Sequence, residues 1–507
     1  MASIMDKRKS NRLITLSRLD YTAGDVTTIP DKSDYPIRVP LEKGNADEFY
    51  FMHKEYSLTN SDDSVYHLPF IFNECGTPWY EANLYFYERS MEEDFSRGGY
   101  KTTDEIRIDA SMLLDYKLFC EDECIDYLDF SASRAAKRPS YRYSQYLLHR
   151  DDVSPKNLNK RTLVVYKFYE FISKLPGYSL DMTRVDKTKQ AFIIFQNGFK
   201  KQVTLRSQTV NASYQQKPVP IGYVRDGGED LRPLSNGQCD ELIDVLNSGV
   251  FSVDERLIHL IALNTGCRKQ SIFTMRMKHI NQLFKSLEVA EGLESLHNIS
   301  QELKDGISAD GTLVLKAGGK TGIDTKNGKP QKLHFPRSLV RQIHTYAFSK
   351  ESAKRRKLFE QQYGDILSED DMYLFLSTNG NCHYMAKNDP RYRQVKTRPK
   401  GEHTDYLKEK LFRNVSASFP KSFTFHWQRA TFAYQYYQHL SRLVVYNGKT
   451  KLKPGQLRPG DEIRKIQIRL HHTNRETTEH YLKLFVEFDD KLVAQDGYEE
   501  ILFKGIF

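Results

Sequence analysis

The sequence of 507 residues contains few cysteines, and they are scattered along the chain. Of the six, only Cys120 and Cys124 lie close together. No second Cys/His pair with zinc-ligand spacing accompanies them, which argues against both a zinc site and a disulfide framework. We therefore expect a reduced chain that needs no structural metal and no cofactor.

Signals for membranes and secretion are also missing. The mean hydropathy is −0.62, and no uninterrupted apolar run approaches the roughly 18 residues that a membrane helix needs. The first seven residues lack the apolar segment of a signal peptide. No internal repeat, low-complexity tract or Walker motif is present. We expect a cytoplasmic protein that has no membrane partner and uses no ATP.

Charge is unevenly distributed along the chain. Lysine and arginine total 75 and the acids total 66, which gives a net charge of +9. Residues 1–130 hold 14 basic and 26 acidic residues, a net of −12, and residues 131–507 hold 61 and 40, a net of +21. A basic body of this size favours a polyanionic partner such as DNA. An ordinary solvated surface is the alternative, and charge alone does not decide between the two.

Length and composition predict several domains. Apolar residues make up 39% of the chain, which is enough for real cores and rules out wholesale disorder. Aromatic runs at 48–51 and 84–87 predict short strands in an α+β front end, and apolar spacing after residue 103 predicts a helix. The predicted divisions are an acidic N-terminal extension (1–130), a basic helical module (131–211), a Pro/Gly-rich linker (212–233) and a C-terminal domain (234–507).

Local signals place several elements in the C-terminal domain. Ser235 can cap a helix to about Leu246, and the capping box at residues 252–255 opens a nearly all-apolar helix that Gly266 can end in a left-handed conformation. Residues 311–337 predict a strand, a long basic turn and a second strand. A helix is predicted from Ser422 or Thr424, and two final helices flank residues 470–472.

Four pieces of this domain carry chemically useful side chains. Each is nonspecific alone, because a helix break followed by arginine, a loop lysine and a buried tyrosine are common. Their order and spacing along the chain are more specific. The pieces are TGCR at 265–268, ending in Arg268; Lys320 in the basic turn; HWQRATFA at 426–433, with His426 and Arg429; and LHHTNRETTEHY at 470–481, with His472 nine residues before Tyr481.

These pieces, in this order, resemble the catalytic domain of the tyrosine recombinase (phage integrase) superfamily. That family reads T-G-x-R, a hairpin lysine, H-x-x-R-x-T-F-A, and L-G-H followed nine residues later by a nucleophilic tyrosine. The resemblance covers roughly residues 230–490. It implies a mainly α catalytic domain with a small antiparallel β-hairpin, preceded by a helical core-binding domain, which residues 131–211 match in position and charge only. Nothing in residues 1–130 resembles the family.

The resemblance implies site-specific DNA recombination. Tyr481 would attack a phosphodiester and form a 3′-phosphotyrosine ester. Arg268 and Arg429 would clamp the non-bridging oxygens. Lys320 would protonate the leaving 5′-oxygen, and His426 and His472 would hydrogen-bond the phosphate or steady the tyrosine. The partners implied are duplex DNA with specific sites, a homotetramer exchanging strands through a Holliday junction, and accessory DNA-bending proteins. An integrase of a mobile element in a bacterial nucleoid fits best.

Three features depart from the family pattern. Ser271 stands where the family usually has an acid, His471 replaces the glycine before the last histidine, and a long insertion separates His426 from Leu470. The lysine assignment also stays open, because Lys316, Lys326, Lys329 and Lys332 lie in the same hairpin. A telomere resolvase or a type IB topoisomerase would use the same chemistry. An inactive DNA-binding relative would carry the same motifs without the chemistry, and a structural protein could match them by chance.

Overall fold

A computed structural model provides the fold of the chain. It describes residues 11–19, 38–39, 49–50, 65–94, 99–100, 102–194, 200–210, 219–220, 222–226, 228–292, 303, 305–445, 456–472, 477–481 and 484–485. The chain divides into two compact units, Met1–Lys217 and Pro218–Phe507. Both units combine helices with small antiparallel sheets of two strands each. Predicted features at residues 451–455 and 473–476 lie outside the described residues.

In its described residues, the first unit combines five α-helices with eight strands. The helices are α1 (Tyr80–Ser90), α2 (Asp104–Asp122), α3 (Pro139–Leu148), α4 (Pro155–Ile172) and the single turn α5 (Met182–Val185). The strands pair as β1 (Leu13–Leu19) with β4 (Val65–Ile71), β2 (Arg38–Val39) with β3 (Phe49–Tyr50), β5 (Glu93–Asp94) with β6 (Gly99–Tyr100), and β7 (Thr188–Ile194) with β8 (Lys200–Arg206).

One aromatic-rich core runs through the first unit. Trp79 before α1 packs edge-on against Phe168 of α4, with ring centroids 5.2 Å apart. Tyr116 of α2 and Tyr169 of α4 share a hydrogen bond of 2.5 Å between their hydroxyls. The same buried cluster extends from Val65 to Val185. The boundary predicted at residue 130 therefore lies inside a continuous hydrophobic core.

The second unit contains the four motif pieces. Its helices are α6 (Asn236–Asn247), α7 (Val253–Thr265), α8 (Lys269–Phe273), α9 (Met277–Ala290), α10 (Arg337–Ala347), α11 (Lys350–Tyr363), α12 (His403–Phe412), α13 (Trp427–Ser441) and α14 (Asp461–Leu470), and residues 477–481 are also helical. The strands among its described residues form two hairpins, β9 (Val224–Asp226) with β10 (Glu229–Leu231) and β11 (Leu313–Ala317) with β12 (Gln331–Phe335).

Several local predictions are confirmed. Helix α6 begins after Ser235, whose hydroxyl accepts the amide of Gln238 at 3.3 Å. Helix α7 begins after Ser252 and ends at Gly266, which has the left-handed φ of 63°. The strand–turn–strand region forms with Leu313 opposite Phe335 and Ala317 opposite Gln331. Short-range capping and turn signals were sufficient for these elements because they involve neighbouring residues only.

Other predictions also differ from the structure, and the module predicted as helical at 131–211 includes the β7–β8 hairpin. The strand predicted at 84–87 is wrong, because α1 covers it: Ala82, Tyr85 and Phe86 are buried at helical spacing. The helix predicted from residue 422 or 424 begins later, at Trp427, because three successive bonds from amides 427–429 to the carbonyls three residues earlier form a tighter turn first. The segment predicted as a linker holds the β9–β10 hairpin.

Among the described helices, none is both long and apolar enough to cross a membrane. The six cysteines are all unpaired. Across the described residues, no group of three or more His, Cys, Asp or Glu side chains is arranged to hold a metal ion.

Gly266 gives a direct test of the α7 terminus. A Cβ at this position would lie 2.4 Å from Cδ1 of Phe432, in addition to the cost of the left-handed backbone. We expect Gly266→Ala to lower the free energy of unfolding by about 2–4 kcal/mol. Gly249→Ala is the matched control, since Gly249 has a φ of 85° but no atom within 4 Å of the added Cβ. It should cost about 1 kcal/mol. Urea unfolding measures both values, and equal losses would contradict the predicted clash.

Candidate active site

Arg429 lies in the first turn of α13 and ties two loops together. Its side chain is 3% exposed. Nη1 donates to the carbonyl of Gly266 and Nη2 donates to the carbonyl of Leu470, each at 2.5 Å. These carbonyls directly precede the loop that carries Arg268 and the loop that carries His472. One buried guanidinium therefore fixes two motif pieces that are about 200 residues apart in the chain.

Arg268 is placed by the end of α7. The left-handed Gly266 turns the chain so that Arg268 becomes the residue before α8. Its Nη2 lies 3.1 Å and 2.9 Å from the two carboxylate oxygens of Asp226. Its Nε is buried and has no hydrogen-bond partner among the described residues. The sequence-predicted pair of arginines thus converges on one point, which Asp226 occupies.

Tyr481 and His472 lie side by side. Their ring centroids are 5.2 Å apart, and His472 Nδ1 is 3.1 Å from the hydroxyl of Thr478. Tyr481 is fully buried. Burial raises the pKa of Tyr481 to about 12, although Arg429 pulls it downward. Burial, together with Arg429, lowers the pKa of His472 to about 3. Both side chains are therefore uncharged at neutral pH in this structure.

The two adjacent histidines have different positions. His471 ends α14 in a left-handed conformation, with φ of 56°. That conformation is the one glycine adopts without strain, which explains why the family pattern has glycine at this position. His472, in contrast, faces Tyr481, as the nine-residue spacing predicts.

His426 precedes α13 and faces two acids. Its Nε2 lies 3.7 Å from Asp226 and its Nδ1 lies 3.7 Å from Glu229. Ser271, at the position where the family usually has an acid, is buried and donates its hydroxyl to the carbonyl of Asp324 at 2.8 Å. Ser271 therefore holds the turn of the β11–β12 hairpin and makes no ion pair.

The hairpin lysines are not equivalent. Lys320 is exposed, and the described part of the chain provides it with no ion pair. Lys326 extends from the other side of the same turn, and its Nζ lies 3.8 Å from Asp226. Lys326 also lines a cavity of about 410 Å³ together with Arg268, His426 and Arg429. Lys326, unlike Lys320, therefore lines the cavity that both arginines also line.

Sequence reasoning missed Asp226 and Glu229. Both lie in the segment predicted as a linker, where they face each other across the end of the β9–β10 hairpin. The signal present was Asp-Gly-Gly-Glu at 226–229, a pattern typical of a two-residue hairpin turn. That pattern predicts the turn and contains no information about the arginines that it reaches.

Five buried polar atoms of this site have no hydrogen-bond partner among the described residues. They belong to the predicted site residues: Arg268 Nε, His426 Nε2, Arg429 Nε, His472 Nε2 and Tyr481 Oη. Buried polar groups in proteins are nearly always paired, and these five atoms are a third of the fifteen unpaired buried side-chain atoms among the described residues. The cavity beside it is lined by further cations, Lys269, Lys400 and Lys408. This set of donors and cations is suited to an anion with several acceptor oxygens.

Arg429 should contribute more to stability than Arg268. Arg429→Ala would leave two buried carbonyls without a donor, and we expect the free energy of unfolding to fall by about 3–5 kcal/mol. Arg268→Ala removes an arginine that bonds only a carboxylate, and we expect a change within about 1 kcal/mol. Denaturant unfolding of both variants checks this difference. Equal losses would show that the two carbonyl bonds of Arg429 do not hold the site together.

No protein-family model and no curated protein sequence matches the chain. Solved structures that resemble it include a complex of the Tn1549 transposon integrase with transposon right end DNA, at 10% identity and a TM-score of 0.34, over 79% of this chain and 93% of the other. XerH site-specific recombinase bound to difH substrate has 11% identity and a TM-score of 0.37, and the match covers 80% of this chain and 85% of the other. XerA recombinase has 14% identity and a TM-score of 0.26, and the match covers 75% of this chain and 87% of the other.

Proposed function

We propose that the chain is a tyrosine-type site-specific DNA recombinase. One observation supports the proposal: five buried polar atoms without a hydrogen-bond partner among the described residues belong to five of the six residues that the family resemblance selects. Three of these residues, Arg268, His426 and Arg429, line one cavity. A chance match of motifs would not require these residues to converge, because they are distributed over more than 200 positions of the sequence. A DNA phosphate in this cavity would supply the missing acceptors.

The two arginines would bind that phosphate through different atoms. The two outer nitrogens of Arg429 are committed to the carbonyls of Gly266 and Leu470, so Arg429 offers its Nε and its charge. Arg268 has no such backbone bonds and can present its outer nitrogens to the non-bridging oxygens. Preorganised donors of this kind typically contribute about two to three decades of rate each.

The chemical step follows from the nucleophile. Tyr481 Oη forms a bond to phosphorus while the bond from phosphorus to the 5′-oxygen breaks, which leaves a 3′-phosphotyrosine and a free 5′-hydroxyl. The phenol releases its proton to solvent, and the leaving 5′-oxygen takes a proton from a lysine of the hairpin, which is left as the neutral amine. Lys326 fits this role better than Lys320 because Lys326 lies 3.8 Å from Asp226 and lines the same cavity as Arg268 and Arg429. The ester conserves the bond energy, so rejoining requires no ATP.

The broader assignment extends the same proposal. A homotetramer on two DNA sites would exchange strands through a Holliday junction, with accessory DNA-bending proteins where the site requires them. The segment at 131–211, which holds helices α3–α5 and the β7–β8 hairpin, would serve as the core-binding domain and residues 234–507 as the catalytic domain. An integrase of a mobile element, associated with the nucleoid, is the proposed setting.

Replacing Tyr481 with phenylalanine tests the chemistry. With sheared genomic DNA from the source organism as substrate, we expect the wild-type chain to form an SDS-resistant, protease-sensitive adduct and Tyr481→Phe to form none, because the nucleophilic oxygen is missing. Tyr437→Phe is the matched control, since Tyr437 also packs against Phe485. Sequencing the captured fragments locates the cleavage site.

The products of this assay separate the related activities. Strand exchange between two sites identifies a recombinase, hairpin ends identify a telomere resolvase, and relaxation of supercoils alone identifies a type IB topoisomerase. If the wild-type chain and Tyr481→Phe both bind DNA and neither forms an adduct, the result would contradict the proposed chemistry and identify a DNA-binding relative.

The two lysines can be separated by changing the leaving group. We expect Lys326→Ala to slow cleavage by about 10²–10⁴-fold, the range typical of a lost general acid. A substrate with sulfur in place of the leaving 5′-oxygen should restore the rate, because a thiolate leaves without a proton. Lys320→Ala is the matched control and should cleave both substrates normally. The reverse pattern would assign the role to Lys320.

A further inference from the structure

Asp226 occupies the anion position of the site. Both of its oxygens lie within 3.1 Å of Arg268 Nη2. Arg429 Nε is 3.4 Å away, His426 Nε2 is 3.7 Å away and Lys326 Nζ is 3.8 Å away. Burial alone would raise the pKa of Asp226, but these arginines and His426 lower it to about 2. The carboxylate is therefore charged at neutral pH.

The groups around Asp226 are the groups proposed to bind DNA phosphate. A carboxylate resembles a phosphate in its charge and in its paired oxygens, and arginine binds both in the same geometry. Two anions cannot share one clamp, because their repulsion at such short range would cancel the attraction of the cations. A scissile phosphate held by Arg268 and Arg429 thus requires Asp226 to leave.

The hairpin that carries Asp226 is packed into the hydrophobic core at its base and held by polar contacts at its other end. Val224 and Leu231, at its base, are buried in the core of the second unit. Asp226 and Glu229, at its other end, are held by polar contacts, including a bond of 3.1 Å from the Thr424 hydroxyl to Glu229. Each strand contains three residues, and two-stranded hairpins of this kind are marginally stable by themselves. Its end can therefore be displaced while its base stays packed.

We propose that Asp226 is a built-in substitute for the scissile phosphate, which holds the empty site closed until DNA displaces the end of the β9–β10 hairpin. This inference rests on the proposed function, because it takes the arginine clamp to be the phosphate site. Glu229 would add to the effect, since it lines the same cavity and lies 3.7 Å from His426. The opposite possibility is that Asp226 stays in place and supports the arginines while DNA is bound.

The binding test compares Asp226→Asn with the wild-type chain on a short duplex of mixed sequence. Removing the competing charge should tighten binding about three- to tenfold at low salt and steepen the dependence of log K on log salt by about one unit. Asp230→Asn is the matched control, because Asp230 lies in the same hairpin but pairs with Arg225. It should bind as the wild type does. Unchanged or weaker binding by folded Asp226→Asn would overturn the inference.

A second measurement uses the wild-type chain and does not depend on the stability of a variant. Hydrogen exchange of peptides that cover β9 and β10 should become faster when the duplex is added, because displacement breaks the contacts at the end of the hairpin. Slower or unchanged exchange in the bound state would overturn displacement and support the opposite possibility.

The outcomes also separate this inference from the proposed chemistry. Tighter binding by Asp226→Asn in a chain that forms no tyrosine adduct would support the inference and remove the recombinase proposal. An adduct in the wild type, with no gain in binding or cleavage by Asp226→Asn, would retain the recombinase proposal and overturn the inference. If neither the wild-type chain nor Asp226→Asn binds duplex DNA, removal of the carboxylate does not open the site to DNA, and the inference is wrong.

Discussion

The guanidinium of Arg429 is the interaction on which the candidate site depends. It is buried, and its two outer nitrogens bond the carbonyls of Gly266 and Leu470. A lysine could not replace it, because a single ammonium lacks the planar fork that reaches two separated acceptors. Through these bonds, the loop after α7 and the loop after α14 have fixed positions relative to α13. Arg268 and His472 are arranged as a consequence.

The candidate site also requires a balance of charge. Two arginines, a histidine and a lysine meet in a partly buried space, and such a collection is costly unless an anion balances it. In the described structure Asp226 provides that balance. The proposed substrate would provide it in the complex. The cations of this site are thus balanced by an acid of the same chain.

Features that depend on neighbouring residues could be predicted from the sequence, whereas features that depend on packing between distant segments could not. The capping residues of α6 and α7 and the β11–β12 pairing depend on neighbouring residues, and these predictions are confirmed. The aromatic run at 84–87 was predicted as a strand because consecutive apolar residues satisfy a period of two as well as a helical period. Burial against the α2 and α4 core decided for the helix.

The sequence by itself determined which residue types are present, in what order and at what spacing: the two arginines, the two histidines and the tyrosine. It also determined where α7 ends, because glycine alone adopts that backbone without strain. Only the tertiary structure decided which acid faces the arginines and which hairpin lysine lies near that acid. Asp226 contacts Arg268 and lies near Lys326 through folding of segments far apart in the chain. Such contacts depend on packing between elements, about which local patterns contain no information.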